Sequence, residues 1–214
     1  MLNTLKFYNY LLRFVLILSL FVIIFGIPYS ELVLHIYGGS NLSSGPGPRL
    51  LQMYCVYILF LAVNGLTEAF SQATMSIEQL TRYKNLISIF SIVYFVFFYL
   101  SIEIFGIYGI ILSNCLNMSL RIVTNSWYIY RYFHGRQFVD PFRFSFGYLV
   151  CLLSCYGLCV YSRQWLTNPV IYLSFGGCLA LFMLGLTWRE EKEMIHYIRC
   201  IRRLNREKNN KKAE

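Results

Sequence analysis

An all-α polytopic bundle of about six transmembrane helices is the fold class this sequence predicts, and three observations predict it. Hydrophobic residues make up 57% of the chain and charged residues only 14%, an apolar excess over the roughly 45–50% of soluble domains. Apolar runs alternate with short charged connections, and each run approaches the about 20 residues that a bilayer core requires. Lysine and arginine gather at the ends of those runs and in the final stretch, so the net charge of +9 fits a membrane surface better than nucleic acid. The expected organisation is a transmembrane bundle over 1–188 and a basic tail over 189–214.

The first span covers 14–34. Gly26 and Pro28 fall late in it, where a kink is tolerated if neighbours satisfy the freed carbonyls. It is too long for a signal peptide, and no small-residue cleavage site follows. A loop over 35–49 comes next, with Gly38-Gly39 and Ser43-Ser44-Gly45-Pro46-Gly47-Pro48 as its turn and stop signals. The second span covers 51–75, and a charged link with Glu78, Arg82 and Lys84 leads to the third over 86–102. Gly106 and Gly109 open the fourth over 107–129. The fifth covers 144–161 and the sixth 169–188, the latter starting on a proline that the first helical position tolerates.

Cytosolic connections carry an excess of lysine and arginine, so six spans can be oriented by counting. One side collects Lys6, Arg13, Arg82, Lys84, Arg131, Arg136, Arg143 and the basic residues of the tail, sixteen in all, against Arg49 and Arg163 on the other. Both termini and the even-numbered connections are therefore expected in the cytosol. Trp127, Trp165 and Trp188 fall near span ends, as interfacial anchors do.

Asn41-Leu42-Ser43 is an acceptor sequon in the expected non-cytosolic loop, which makes Asn41 a glycosylation candidate. The chain ends Lys211-Lys212-Ala213-Glu214. That ending resembles the dilysine retrieval signal of endoplasmic reticulum membrane proteins, and it also reads as a solvated basic tail. Met194, Ile195, Ile198, Ile201 and Leu204 recur at helical spacing between basic residues. They describe either an amphipathic helix on the membrane surface or a charged continuation of the sixth span. Cys151, Cys155 and Cys159 repeat every four residues along one helical face, where small polarizable side chains suit packing; the spacing suggests no metal site and no cofactor.

Ionisable residues inside spans are costly and mark a pathway or a partner. Asn64, Glu68 and Gln72 share a face of the second span at four-residue steps. Asn114, Asn117, Arg121 and Asn125 form a second polar stripe on the fourth. At 1.5 Å per residue, Glu68 and Arg121 each lie roughly 10–14 Å from the cytosolic ends of their spans, so they can pair. Two readings stand beside each other. Either the charges neutralise one another to hold helices together, or Arg121 attracts an anionic headgroup into a polar track whose asparagines bond hydroxyls.

The strings Phe25-Gly26-Ile27-Pro28-Tyr29-Ser30, Ile36-Tyr37-Gly38-Gly39 and Leu42-Ser43-Ser44-Gly45 occur in this order. The stretch 64–70 and Asn114-Cys115-Leu116-Asn117-Met118-Ser119-Leu120-Arg121-Ile122 follow them. Together they resemble the Rft family. The resemblance implies a part in moving dolichol-pyrophosphate-linked Man5GlcNAc2 from the cytosolic to the lumenal leaflet of the endoplasmic reticulum, within the N-glycosylation precursor pathway. It also implies the architecture of the multidrug, oligosaccharidyl-lipid and polysaccharide exporters, in which two helical lobes enclose a cavity. The match covers about the C-terminal half of the family's sequence, so one lobe is expected here and an N-terminal lobe or partner chain must complete the cavity.

Competing functions leave distinct marks. An ion-coupled exporter of the same superfamily would use Glu68 as its cation or proton carboxylate and would carry several unpaired membrane carboxylates. A dolichol-dependent glycosyltransferase would need acidic residues near a lumenal loop, where only Glu31 and Glu103 stand at the margins. No Asp-x-Asp, His-Glu-x-x-His, P-loop or Gly-x-Ser-x-Gly pattern occurs, so no enzyme is expected. An accessory or scaffold role in the same pathway is not separable from translocation by sequence.

Overall fold

The computed structural model describes residues 2–135, 144–166 and 168–192. Among the described residues six helices follow in chain order: α1 Leu2–Ser43, α2 Gly47–Thr74, α3 Ile77–Phe105, α4 Tyr108–Tyr132, α5 Phe146–Trp165 and α6 Pro169–Glu190. Among the described residues there is no strand. The tail residues from Met194 to Leu204, together with Lys211 and Lys212, lie outside the described residues.

Each helix runs past one or both ends of the apolar span that announced it. Apolarity marks only the hydrocarbon crossing, whereas the backbone keeps pairing internally until a stop residue intervenes. The expected loop over 35–49 is accordingly mostly helix, reduced to a turn over 44–46 and a break inside α1. The break is Gly39, whose φ of 65° with ψ of −156° is open to glycine and strained for other residues. Pro46 and Pro48 begin α2 and do not end α1, because the first turn of a helix has no use for the missing N–H.

The charged link before the third span is likewise the start of α3. Ser76 caps it reciprocally: its hydroxyl accepts from the Gln79 N–H at 3.3 Å while its own N–H donates to the Gln79 side chain at 3.1 Å. Gly106 caps the end of α3 and does not open α4.

Five helices, all but α4, are long and apolar enough to cross a membrane. The 25 residues of α4 are sufficient in length, but its polar stripe makes it the least apolar of the six. It packs between α2 and α3, while α1 packs on α2, α5 and α6. The α5–α6 pair therefore joins the bundle through α1.

Lipid tails are as apolar as leucine, so helices in a bilayer associate through close packing and hydrogen bonds. Gly26 lets α1 approach α2 until a Cβ there would lie 2.6 Å from the Cys55 sulfur. Gly176 brings α6 onto Tyr29, whose hydroxyl would collide with any Cβ. The Tyr29 and Tyr172 rings stack at 4.3 Å, and the Tyr29 hydroxyl donates to the Tyr172 carbonyl at 2.9 Å. Cys155 and Cys159 are buried in the same α1–α5–α6 packing.

At the face where α1 begins, Leu5, Tyr8, Leu12 and Leu16 pack with Ile129 and Phe133 from the end of α4 and with Phe70 near the end of α2. Arg13 also meets Glu191 there, with two guanidinium nitrogens each 2.6 Å from one carboxylate oxygen. At the opposite face Arg163, near the end of α5, pairs with Glu31 of α1. An ion pair thus ties the α5–α6 hairpin to α1 at each face.

Candidate polar seam between α2 and α4

Glu68 and Arg121 meet. The Nη1 of Arg121 donates to Oε2 of Glu68 at 3.3 Å, with the two side chains 23% and 19% exposed. Helical spacing places a donor on either side of the carboxylate. Asn64 Nδ2, one turn before, donates to Oε2 at 3.2 Å, and Gln72 Nε2, one turn after, donates to Oε1 at 3.0 Å. Glu68 therefore retains two amide donors when Arg121 is left out of account. Asn64 is buried and Gln72 exposed, so the row runs from the interior toward the face where α2 ends.

Arg121 is less committed than its partner. A guanidinium has five N–H donors, Glu68 engages one of them at the long end of the hydrogen-bond range, and Nε is buried without a partner. Asn64 Oδ1, Ser71 Oγ and Asn125 Oδ1 are buried without hydrogen bonds as well. Buried polar groups are normally satisfied, so these four atoms on α2 and α4 are spare hydrogen-bonding capacity.

Asn125 leaves the row: its Nδ2 donates to the hydroxyl of Tyr83 on α3 at 2.9 Å, and both residues are buried. Asn114 and Asn117 are half-buried on α4 and make no side-chain hydrogen bond among the described residues. The structure thus joins Asn64, Glu68, Gln72 and Arg121, ties Asn125 to α3, and leaves Asn114 and Asn117 apart. Tyr83 and Ser71 were absent from the sequence-derived set. The expected third span begins three residues after Tyr83, which keeps that tyrosine out of view. Ser71 carries no charge or amide to raise it above the many hydroxyls that bond back within their own helix, as Thr67 and Ser113 do.

Asn41 is exposed near the end of α1. Its sequon is helical, and the Ser43 hydroxyl is committed to the Gly39 carbonyl at 3.1 Å.

A family model described as Rft protein matches residues 2–200. Among curated proteins, the chain is similar to the Man(5)GlcNAc(2)-PP-dolichol translocation protein RFT1 of Xenopus tropicalis. The two are 38% identical over 203 residues, covering 88% of this chain and 36% of the relative. The proteins of the same name from Mus musculus, 34% identical over 197 residues with the same coverage, and from Saccharomyces cerevisiae, 33% identical over 187 residues covering 81% and 32%, are also similar. The chain spans about a third of the length of the curated relatives it matches, with 36% for the first of them, a smaller share than the half that the motifs implied. No solved structure matches.

Proposed function

The chain belongs to the Rft family, and on that premise we propose that it serves in a flippase-type transporter for dolichol-pyrophosphate-linked Man5GlcNAc2, with the α2–α4 seam lining the headgroup path. The observation that carries this reading is the surplus of buried polar capacity around an under-committed Arg121. A pyrophosphate offers acceptors to the spare guanidinium donors, and sugar hydroxyls suit the free amide oxygens of Asn64 and Asn125. Glu68 keeps its amide donors while Arg121 turns toward a ligand, so no carboxylate is abandoned in the membrane. The lipid is moved unchanged, so the role asks for no catalysis.

One wall does not make a cavity. In this reading an N-terminal lobe or partner chain supplies the rest, and the dolichol tail stays in lipid. The site is the endoplasmic reticulum membrane, with both termini cytosolic. An ion-coupled exporter is the weaker alternative, because Glu68 is held by three donors and is not poised as a free carboxylate.

The test is a chimera in which the matching segment of the Xenopus tropicalis relative is replaced by residues 2–200 of this chain. Reconstituted in liposomes with the lipid-linked oligosaccharide, it is expected to speed transbilayer movement above that of protein-free vesicles. Movement at the protein-free rate from folded chimera would favour an accessory role.

A further inference from the structure

A second polar site lies away from the seam, where α1 approaches the end of α5 and the start of α6. There a cavity of about 330 Å³ is lined by Pro28, Glu31, His35, Arg163, Leu166 and Tyr172 among others. Its size falls at the lower end of the range of about 300–1,000 Å³ for small-molecule sites. Trp165, 72% exposed beside it, marks the membrane interface, so the cavity opens at the level of lipid headgroups.

Its charges select a class of ligand. Glu31 and Arg163 pair across the cavity and are each close to half exposed. Such a pair contributes little to stability, because water competes for both partners. It therefore separates at small cost when a guest brings its own two charges. A purely anionic guest meets Glu31, and a purely cationic one meets Arg163. A guest carrying both, with a phosphodiester for Arg163 and an ammonium for Glu31, satisfies each without leaving net charge. The apolar part of the wall, Pro28 and Leu166, suits the glycerol and first methylenes of a lipid.

We propose that this cavity binds the zwitterionic headgroup of phosphatidylethanolamine from the leaflet at the α5–α6 end, with Arg163 on the phosphate and Glu31 on the ammonium. A primary ammonium donates N–H bonds that a quaternary choline lacks, so ethanolamine is preferred. The site is separate from the proposed transport path and does not rest on that function.

Native mass spectrometry of the purified full chain, titrated with phosphatidylethanolamine, phosphatidylcholine and phosphatidylglycerol, tests this. The parent chain is expected to retain ethanolamine lipid best. Arg163→Gln should weaken that binding about tenfold, the loss of one charge-assisted contact. Glu31→Gln should reverse the preference toward phosphatidylglycerol, since Arg163 then stands alone. Leu166→Trp, which fills the cavity and leaves both charged residues in the chain, should reduce retention of all three, with helix content by circular dichroism unchanged. Equal retention of ethanolamine and glycerol lipids by the parent chain, or variants that bind as the parent does, would overturn the proposal.

Discussion

Arg121 touches Glu68 through a single 3.3 Å contact, whereas Glu68 is gripped by Asn64 and Gln72 from its own helix. The pair is asymmetric: the carboxylate is secured locally, and the guanidinium depends on a neighbour one helix away. Removing either member should therefore have unequal effects. Arg121→Ala is expected to leave Glu68 hydrogen-bonded and to lower stability modestly. Glu68→Ala strands a half-buried guanidinium and should cost up to about 3 kcal/mol, the low end for breaking a buried pair. Unfolding of the chain in mixed micelles, followed by circular dichroism, separates the two; equal losses would show that the local amides do not matter.

Asn125 of α4 donates to the Tyr83 hydroxyl of α3 at 2.9 Å, with both side chains buried. Tyr83→Phe removes the acceptor and leaves the Asn125 amide unpaired, at a cost of about 1 kcal/mol. Tyr83→Phe combined with Asn125→Leu should be less destabilised than Tyr83→Phe alone, because no orphan donor remains. A double-mutant cycle on the same unfolding transition measures the difference.

Gly26 and Cys55 set the distance between α1 and α2. Gly26→Ala should destabilise by about 1–3 kcal/mol through overpacking. Adding Cys55→Ala removes the obstructing sulfur and should recover most of that loss. Recovery by an unrelated substitution on α2, such as Val56→Ala, would point to a general loosening and away from this contact.

Orientation and local geometry make separate demands on glycosylation. An acceptor tag placed after Glu214 should remain unmodified if the C-terminus is cytosolic, while a tag inserted in the turn at Gly45 should be modified. Asn41 itself is expected to stay bare although it shares that side, because its sequon is helical and Ser43 is engaged with Gly39. Glycosidase digestion followed by gel mobility reports all three.

Much of this arrangement is legible in the chain, for reasons that differ by feature. The helices follow from apolar runs, and the Glu68–Arg121 meeting follows from helical spacing plus equal depth. Hydrophobicity senses the bilayer core and so does not locate the helix ends: α1 runs on to Ser43 and α3 starts at Ile77. The Arg13–Glu191 and Glu31–Arg163 pairs were invisible for another reason. Their members are 178 and 132 residues apart, and sequence alone does not say which helices are neighbours. Asn114 and Asn117 share a helical face with Arg121 but stand at a different height from Glu68, so periodicity joined what geometry separates.

The most direct measurement pairs stability with transport in the double reversal Glu68→Arg with Arg121→Glu, carried in the chimera described above. If Arg121 receives the headgroup, the reversal should regain the stability lost in Glu68→Ala while transbilayer movement of the lipid-linked oligosaccharide stays near the protein-free rate. Restored movement alongside restored stability would contradict that role, and would leave the pair as a clasp between α2 and α4.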